Sequence, residues 1–344
     1  MKILITGIHG FVGSNLVEAL KKEHTIYGLD IISPIKDGVR FTFGWDFLDK
    51  PGEIPEIDAI IHLAGKAHDV KSDGRGQKEE YMRINCGLTQ KVFDYFLAHD
   101  SIKKFVFFST AKAAADKVEG VLTEDVIPSP VGPYGESKIK AEEYILSRIS
   151  ELENNNSCDP SESCSPKEKF PNSQILDKPE ALAKQVYIFR PCMIHGPGNK
   201  GNLNLLYHVV KKGIPWPLGA FENRRTFTSV ENICFAVNGV LTKDVPSGIY
   251  NMGDDEALST NELIEEICKS LGKKAHIWKL SKELMNCVAK IGGALHLPLN
   301  PERLRKLTEN YISSNEKIKK ALGVTQMPVD ARTGLQATLK SFKK

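Results

Sequence analysis

The chain lacks long apolar runs: no stretch of about 18 apolar residues occurs anywhere, which excludes a membrane-spanning helix. Its N-terminal apolar segment, MKILI, is soon followed by glycines and by no small-residue cleavage site, so we expect no signal peptide. A large excess of one charge is also lacking, because 46 Lys and Arg stand against 43 Asp and Glu. This near balance argues against nucleic acid or an anionic membrane as the main partner.

Paired cysteines are lacking as well. The seven cysteines are odd in number and scattered, without the spacing of metal ligands, so we expect no metal site. Such cysteines suit a reducing compartment, and we therefore expect a cytoplasmic protein. With 41% hydrophobic residues, the chain has enough apolar side chains for an ordinary core.

Short apolar runs alternate with helical or turn-rich sequence, which predicts a parallel sheet covered by helices on both faces. The predicted strands cover residues 2–6, 24–29, 59–63, 104–109 and 186–189, and the predicted helices include 10–22, 134–149, 203–212 and one beginning near Val230. The fold class is therefore α/β, a Rossmann-type doubly wound sheet with a smaller C-terminal α/β domain.

We expect two domains, with the boundary after Pro191. Residues 1–191 would form the dinucleotide-binding domain and 192–344 mainly the substrate-binding domain, although a strand at 248–252 could rejoin the first. The segment 153–181 is rich in Asn, Ser, Pro and charge and has few large apolar groups. Such a composition predicts a surface insertion without an ordered core.

Three glycines at the first strand-to-helix turn predict a dinucleotide site. Gly7, Gly10 and Gly13 form G-x-x-G-x-x-G, with Phe11 and Val12 between the last two. Glycine permits the tight turn and the close approach of a pyrophosphate, while the helix N-terminus supplies N–H donors. The context of strand, turn and helix gives the motif its weight, since a glycine triplet alone is weak evidence.

Asp30 closes the second predicted strand, about 20 residues further on, where a carboxylate binds the ribose hydroxyls of the adenosine. A carboxylate there also repels a 2′-phosphate, so we predict NAD as the cofactor. Arg40, downstream, is the residue that could instead admit NADP. Asp46-Phe47 and Ala64-Gly65 follow the next two strand positions, where they would meet the adenine and the ribose on the nicotinamide side.

The segment Tyr134-Gly135-Glu136-Ser137-Lys138 contains Tyr-x-x-x-Lys, whose two end residues share one face of a helix. An ammonium beside a phenol favours the phenolate, so we expect Lys138 to lower the pKa of Tyr134 towards neutrality. Tyr134 would then serve as a general acid and base. Upstream, Ser109-Thr110 closes a buried strand, and we expect both hydroxyls to face the ligand crevice.

Taken in this order, these motifs resemble the extended short-chain dehydrogenase/reductases, in the NAD-dependent epimerase/dehydratase group that acts on nucleotide sugars. The resemblance covers most of the chain outside the insertion and is carried by TGIHGFVGSNL, IIHLAGKAHD, FVFFSTAKA, YGESKIKAEE, FRPCMIHGPG and NRRTFTSVENI. It implies catalytic roles for Thr110, Tyr134 and Lys138, with Lys138 also binding the nicotinamide ribose. It also implies a homodimer formed through two long central helices.

The resemblance places Asn85 near the nicotinamide and Arg225 on the substrate diphosphate, a role that suits a guanidinium. The complete predicted cofactor site comprises Gly7, Gly10, Phe11, Val12, Gly13, Asp30, Asp46, Phe47, Leu63, Ala64, Gly65, Asn85, Ser109, Tyr134, Lys138 and Pro191. The predicted substrate contacts are Lys66, Thr110, Asn202 and Arg225, and the expected substrate is a nucleotide sugar, with UDP as its nucleotide.

Departures from the family pattern indicate the subtype. The 4,6-dehydratases of this family carry an Asp-Glu pair after the strand-end Ser-Thr, where this chain has Ala111-Lys112, so we reject water elimination. Typical 4-epimerases have an asparagine three residues after the strand-end arginine, where this chain has Met193 after Arg190. The Pro191 pattern, the strand-end STAK and the NRRTF stretch resemble bacterial UDP-4-keto-sugar reductases, which make N-acetylated deoxysugars for surface polysaccharides. A UDP-sugar 4-epimerase is the alternative, and a non-catalytic NAD-binding regulator is a further one.

Overall fold

The structure is a computed structural model that describes residues 1–49, 55–67, 77–157, 184–199, 201–295 and 299–343. Its strands are β1 (Lys2–Thr6), β2 (Thr25–Leu29), β3 (Val39–Phe43), β4 (Ala59–His62), β5 (Lys104–Phe108), β6 (Val121–Leu122), β7 (Gln185–Pro191), β8 (Met193–His195), β9 (Phe227–Ser229), β10 (Gly248–Met252) and β11 (Ile312–Ser313).

The helices of the described residues alternate with these strands. They are α1 (Phe11–Leu20), α2 (Gln77–Tyr81), α3 (Leu88–Ala98), α4 (Ala111–Ala114), α5 (Pro133–Ser157), α6 (Asn202–Lys211), α7 (Val230–Thr242), α8 (Thr260–Ser270), α9 (Lys282–Ala294), α10 (Pro301–Thr308), α11 (Glu316–Leu322) and α12 (Ala331–Ser341), with a 3₁₀ turn at Trp45–Asp49 and a π-helix at Met82–Gly87.

Seven parallel strands form the central sheet in the order β10-β7-β5-β4-β1-β2-β3. The order reverses between β1 and β4, and in open α/β sheets ligands bind outside the carboxyl ends of the strands at such a reversal. The predicted doubly wound Rossmann sheet is confirmed. The predicted return of the chain at Gly248–Met252 is also found, because this strand pairs with β7 at the edge of the sheet.

The inner strands β1, β4 and β5 are apolar and buried along almost their whole length, as parallel strands covered by helices must be, whereas the edge strand β3 is partly exposed. One face of the sheet packs on α1 and α7, the other on α3 and α5, and each has its own hydrophobic core. A third core lies among α6, α8, α9, α10 and α12 in the C-terminal part. The domain boundary after Pro191 stays a prediction, and α7 packs on the first core although it follows that boundary.

The helix that carries Tyr134 and Lys138, here called the catalytic helix after their predicted role, is longer than predicted. We expected it to end near Ile149 and the insertion to begin at 153, but α5 continues to Ser157. Residues 158–181 of the predicted insertion lie outside the described residues. Elsewhere the predicted bounds shift by a few residues, as where α1 ends at Leu20 rather than at 22. Among the helices described here, none is both long and apolar enough to cross a bilayer.

Candidate active site

The glycine-rich turn between β1 and α1 has the geometry that a pyrophosphate requires. Gly7 has φ +68°, and a Cβ atom there would lie 3.0 Å from the Ala64 nitrogen. A Cβ on Gly13 would lie 2.6 Å from the Gly7 carbonyl oxygen and 2.9 Å from Ile8 Cα, so the helix packs on the turn only with glycine. Gly10 caps α1 without a side-chain hydrogen bond, and no acidic residue occupies the first turn. The residues present therefore fit a dinucleotide.

The other two predicted members of this turn, Phe11 and Val12, are the first two residues of α1. The first N–H groups of a helix have no partner within it and carry its positive dipole end. An anion placed at Gly10 would therefore meet these backbone donors, whatever the two side chains are.

Asp30 lies at the edge of the same turn. Its carboxylate accepts hydrogen bonds from the His9 nitrogen at 3.0 Å and the Ile31 nitrogen at 2.7 Å, which fixes the carboxylate beside the glycine-rich loop. Lys36 is a nearby cation that the sequence did not single out, and its Nζ donates to Ser14 Oγ at 2.7 Å. Burial lowers the pKa of Lys36, and Asp30 opposes this. The site therefore combines one carboxylate and one ammonium.

Asp46 and Phe47 fall in the 3₁₀ turn after β3, as their predicted position requires. The Phe47 ring, however, is buried in the core, with its centroid 4.2 Å from that of Phe43 and 5.8 Å from that of Tyr95. The Phe47 ring is therefore held mainly by core contacts, and the predicted contact of Phe47 with the cofactor stays a prediction.

A buried chain of hydrogen bonds supports the loop Leu63–Gly65. The nitrogens of Leu63 and Ala64 donate to Thr6 Oγ at 3.1 and 3.0 Å, and Thr6 Oγ lies 2.8 Å from His62 Nδ1. On its other side, His62 Nε2 lies 3.0 Å from Thr89 Oγ. Burial lowers the pKa of His62 to about 3, and Lys138 adds to this, so the imidazole is neutral at physiological pH.

Asn85 connects this loop to the catalytic helix. Its Oδ1 accepts from the Lys66 nitrogen at 2.7 Å, while its Nδ2 donates to the Lys66 carbonyl at 3.0 Å and to Ser137 Oγ at 2.9 Å. Ser137 in turn donates to the Tyr134 carbonyl at 2.8 Å. Asn85 lies in the π-helix Met82–Gly87, a rare element that is frequent at functional sites.

The structure brings the three predicted catalytic residues together at the carboxyl end of β5. Thr110 lies close enough to the Tyr134 phenol for its hydroxyl to lower the pKa of Tyr134. Lys138, one turn after Tyr134 on α5, donates from Nζ to the Phe108 carbonyl at 2.8 Å. A Cβ on Gly65 would lie 3.2 Å from Lys138 Nζ, so the cofactor loop and the lysine are in close contact.

The expected effect of Lys138 on the Tyr134 phenol is not found. Burial raises the pKa of Tyr134, the nearby Thr110 hydroxyl opposes this, and Lys138 is not among the causes. Burial lowers the pKa of Lys138 itself to about 8, with Glu142 acting in the opposite direction. The prediction of a tyrosine already tuned towards neutrality is therefore wrong for this structure, because both groups are buried and desolvation dominates.

Ser109 also differs from expectation. Its hydroxyl does not face the crevice but donates to a carboxylate oxygen of Glu142 inside the protein. Glu142 is fully buried and forms an ion pair with Arg190 of β7, whose Nη2 lies 2.5 Å from Oε2. A cofactor contact by Ser109 would therefore involve its backbone, while Thr110 alone presents its hydroxyl to Tyr134.

The remaining predicted residues lie around the crevice. Pro191 ends β7, and Asn202 opens α6, although its side chain is outside the described set. The Lys66 ammonium pairs with Glu80. Arg225 is half-buried, donates from Nη1 to the Lys306 carbonyl, and has its pKa lowered by burial. A guanidinium that is partly desolvated binds a phosphate strongly. The charge and burial of Arg225 therefore fit its predicted contact with the substrate diphosphate, which stays a prediction.

Sequence reasoning missed Glu142 as a member of the site, and also His62 and Ser137. Glu142 follows Lys138 by four residues and Tyr134 by eight, so all three share one helix face. That spacing was a usable signal, because a carboxylate on the face that carries the reactive groups is buried with them. In the described part of the chain, no three His, Cys, Asp or Glu side chains are grouped so as to hold a metal ion.

The model of the NAD dependent epimerase/dehydratase family matches residues 3–253, and the chain belongs to this family. It is an NAD-dependent enzyme of the extended short-chain dehydrogenase/reductase type, and its cofactor is NAD.

Individual relatives agree with this assignment. The chain is 27% identical over 293 residues to a UDP-glucose 4-epimerase of Vibrio cholerae, which covers 81% of this chain and 77% of the relative. Its fold matches MoeE5 in complex with UDP-glucuronic acid and NAD, with TM-score 0.70 and 20% identity over 100% of this chain and 99% of the other. A UDP-glucuronic acid 4-epimerase from Bacillus cereus, in complex with NAD, matches with TM-score 0.69, 20% identity and the same coverage.

Proposed function

We propose that this enzyme transfers hydride at C4 of a UDP-linked hexose or N-acetylhexose. The observation that carries the proposal is the proximity of the Thr110 and Tyr134 side chains, with Lys138 one helical turn away beside the cofactor loop. NAD, when bound, supplies the acceptor or donor of the hydride. Tyr134 moves the proton of the sugar hydroxyl, and Thr110 holds the sugar oxygen against the phenol.

We take the nucleotide and the sugar class of the proposed substrate from the names of the matched proteins. The matched proteins are named for UDP-glucose and UDP-glucuronic acid, and two solved neighbours hold NAD. Arg225, half-buried and cationic, is the residue we assign to the diphosphate of such a substrate. Lys66 and Asn202 are the further substrate contacts that we propose.

Within this chemistry we propose reduction of a UDP-4-keto-sugar, as used in making sugars for surface polysaccharides. Met193 stands where typical 4-epimerases of the family have asparagine, and it is partly exposed on β8. Elimination of water is not proposed, because the helix after Thr110 begins with Ala111-Lys112, and Lys112 pairs outward with Asp116 at 3.5 Å.

A 4-epimerase is the second candidate, and the name of the Vibrio cholerae relative favours it. The two reactions use the same groups on the protein. They differ in whether the keto-sugar turns over inside the site and is reduced again before release.

The test uses two substrates and two variants. A UDP-4-keto-6-deoxy-N-acetylhexose is mixed with NADH, and UDP-N-acetylglucosamine or UDP-glucose with NAD, while NADH absorbance and the sugar products are followed. Stoichiometric oxidation of NADH by the keto-sugar supports the reductase, and interconversion of the two C4 epimers without net NADH supports the epimerase. Tyr134→Phe should reduce either activity by about 10²–10⁴-fold, whereas Tyr144→Phe, on the same helix but bonded to Asp94, should not. If NADH binds and neither substrate class reacts, the proposal is wrong and a regulator becomes the better interpretation.

A further inference from the structure

A buried carboxylate without an assigned role, Glu142, lies one helical turn after Lys138 on α5. Glu142 has no solvent exposure, and Arg190 on β7 is 1% exposed. Arg190 Nε lies 3.1 Å from both carboxylate oxygens of Glu142 and its Nη2 lies 2.5 Å from Oε2, while the Ser109 hydroxyl donates to Oε1. Three elements, α5, β5 and β7, therefore meet at one carboxylate.

This arrangement is a poor device for stability alone. Removing two charges from water is costly, and buried ion pairs are often replaceable by apolar residues without loss of stability. The pair is also incompletely satisfied, because Arg190 Nη1 is buried and has no hydrogen-bond partner among the described residues. Stability alone therefore does not account for this buried ion pair.

The charge of this carboxylate acts on Lys138. The two residues are one helical turn apart on α5, and Glu142 raises the pKa of Lys138 against the larger effect of burial. From the other elements, Lys138 meets the Phe108 carbonyl of β5, the neutral His62 of β4 and the face of the Phe107 ring, whose centroid is 4.9 Å from Nζ. Tyr134 is the other titratable group on its own helix.

We propose that Glu142 is a positioning residue of the catalytic centre: held by Arg190 and Ser109, it supplies the buried negative charge that orients Lys138 and keeps it cationic for the cofactor. Among the described groups that affect Lys138, Glu142 is the carboxylate, whereas His62 is neutral. Burial alone would favour the uncharged amine. The inference rests on the family's NAD chemistry and not on the identity of the sugar.

The sign of the effect follows from these charges. Lys138 is an ammonium below its pKa of about 8 and becomes neutral above it. NADH binding that uses this ammonium should therefore weaken as the pH rises through that value. Glu142→Gln removes the negative charge and leaves the Arg190 cation, and both changes disfavour the ammonium. The pH at which half of the NADH affinity is lost, called the midpoint below, should then fall by about one pH unit or more. A nearby charge, within about 4–6 Å, shifts a pKa by about 1–3 units.

The complementary variant acts in the other direction. Arg190→Met removes a cation and leaves the charge of Glu142 acting on Lys138, so the midpoint should stay or rise. A purely structural ion pair would make the two variants behave alike, since each breaks the same contact. Glu143→Gln is the matched control, because Glu143 is the next residue along α5 and pairs with Lys140 on the surface.

The experiment measures NADH affinity by titration calorimetry from about pH 6 to about pH 10, a range that lies on both sides of the Lys138 pKa of about 8. We expect the pH midpoint of NADH affinity to fall in Glu142→Gln. It should not fall in Arg190→Met or in Glu143→Gln. Glu142→Asp, which keeps the charge, should largely restore the wild-type midpoint. Equal midpoints in Glu142→Gln and wild type would overturn the proposal.

Folding is checked in each variant by circular dichroism. If Glu142→Gln does not fold, the double variant Glu142→Gln/Arg190→Met carries the test, because it leaves neither charge buried alone. Its midpoint should still fall below that of wild type. Because no sugar is used, a failure here is separate from a failure of the proposed function, which concerns C4 chemistry.

Discussion

The side-chain amide of Asn85 donates to the Ser137 hydroxyl at 2.9 Å and so ties the π-helix to the catalytic helix. The same amide group holds both backbone polar atoms of Lys66, at 2.7 and 3.0 Å. One fully buried side chain thus sets the distance between the cofactor loop and the helix that carries Tyr134. Precise positioning of this kind depends on hydrogen bonds behind the reactive groups.

Asn85→Leu should remove all three bonds with little change in side-chain size. Because it removes the side-chain partners of two half-buried backbone groups of Lys66, we expect a stability loss of about 0.5–1.5 kcal/mol per lost hydrogen bond and a weaker NADH affinity. Ser137→Ala removes one of the three bonds and should have the smaller effect on both. Urea unfolding and NADH calorimetry measure the two quantities, and equal effects in the two variants would contradict this account.

How much the sequence predicted depends on whether the signal is local. The glycine-rich turn and Asp30 were found because their spacing fixes their place on β1, α1 and β2. Tyr-x-x-x-Lys was found because a helix sets its geometry. The Glu142–Arg190 pair escaped because its partners are 48 residues apart and their burial is a property of the packed sheet.

The error about Tyr134 has the same origin. From sequence, a lysine four residues away suggested a lowered phenol pKa, since solvent was ignored. In the folded chain, both groups are buried and desolvation has the larger effect. The inward direction of the Ser109 hydroxyl could not be predicted from the sequence either. The alternation of side chains along a strand does not show which residue of another element will accept the hydrogen bond.

Cofactor preference should follow Asp30. We expect wild type to bind NADH more tightly than NADPH, because the carboxylate beside the glycine-rich turn opposes a 2′-phosphate. Asp30→Asn should narrow the difference by raising NADPH affinity. Affinities for both cofactors, measured by fluorescence titration, decide the matter.

Two nearby cations, Lys36 and Arg40, are the candidates for binding the 2′-phosphate if NADPH binding is observed. Lys36 reaches Ser14 at the start of α1, whereas Arg40 is exposed on β3. In the Asp30→Asn background, Lys36→Met should lower NADPH affinity more than Arg40→Met does. Tighter binding of NADPH than NADH by wild type would count against the assignment of Asp30.

His62 should make the free energy of unfolding decrease as the pH falls. Thr89 donates its single hydroxyl proton to the Asn85 carbonyl at 2.6 Å, so it must accept from His62 Nε2–H, and His62 Nδ1 then accepts from Thr6. Protonation of Nδ1 would break this chain. The pKa of His62 falls from 6.5 in the unfolded chain to about 3 in the folded one.

Between those two values the unfolded chain binds about one more proton than the folded chain, so stability is complete above about pH 6.5 and declines as the pH falls. The slope from this group is about 1.4 kcal/mol per pH unit. His62→Asn should unfold more easily at neutral pH but show a shallower decline towards acid. Urea unfolding at several pH values tests this, with the exposed His208→Asn as control. An unchanged slope in His62→Asn would rule the mechanism out.

The polar segment after α5 should tolerate replacement. Since α5 extends to Ser157, we now restrict the replaced part to residues 158–181, which lie outside the described residues. A short Gly-Ser linker should preserve NADH affinity and melting temperature, because loop length changes closure entropy slowly and this composition buries little. A large fall in melting temperature would show that the segment packs on the fold.

The catalytic assignment gives the last prediction. Tyr134→Phe keeps the ring that contacts Tyr81, at 6.1 Å between centroids, and removes only the hydroxyl that lies close to Thr110. We therefore expect an unchanged fold and NADH affinity, with kcat reduced by about 10²–10⁴-fold, the usual contribution of general acid–base catalysis. Thr110→Val should be milder, because the proton carrier remains. Lys138→Met should reduce both NADH affinity and kcat, since the lysine contacts the cofactor loop as well as the helix. Near wild-type turnover in Tyr134→Phe, with whichever UDP-sugar proves active, would mean that another group moves the proton.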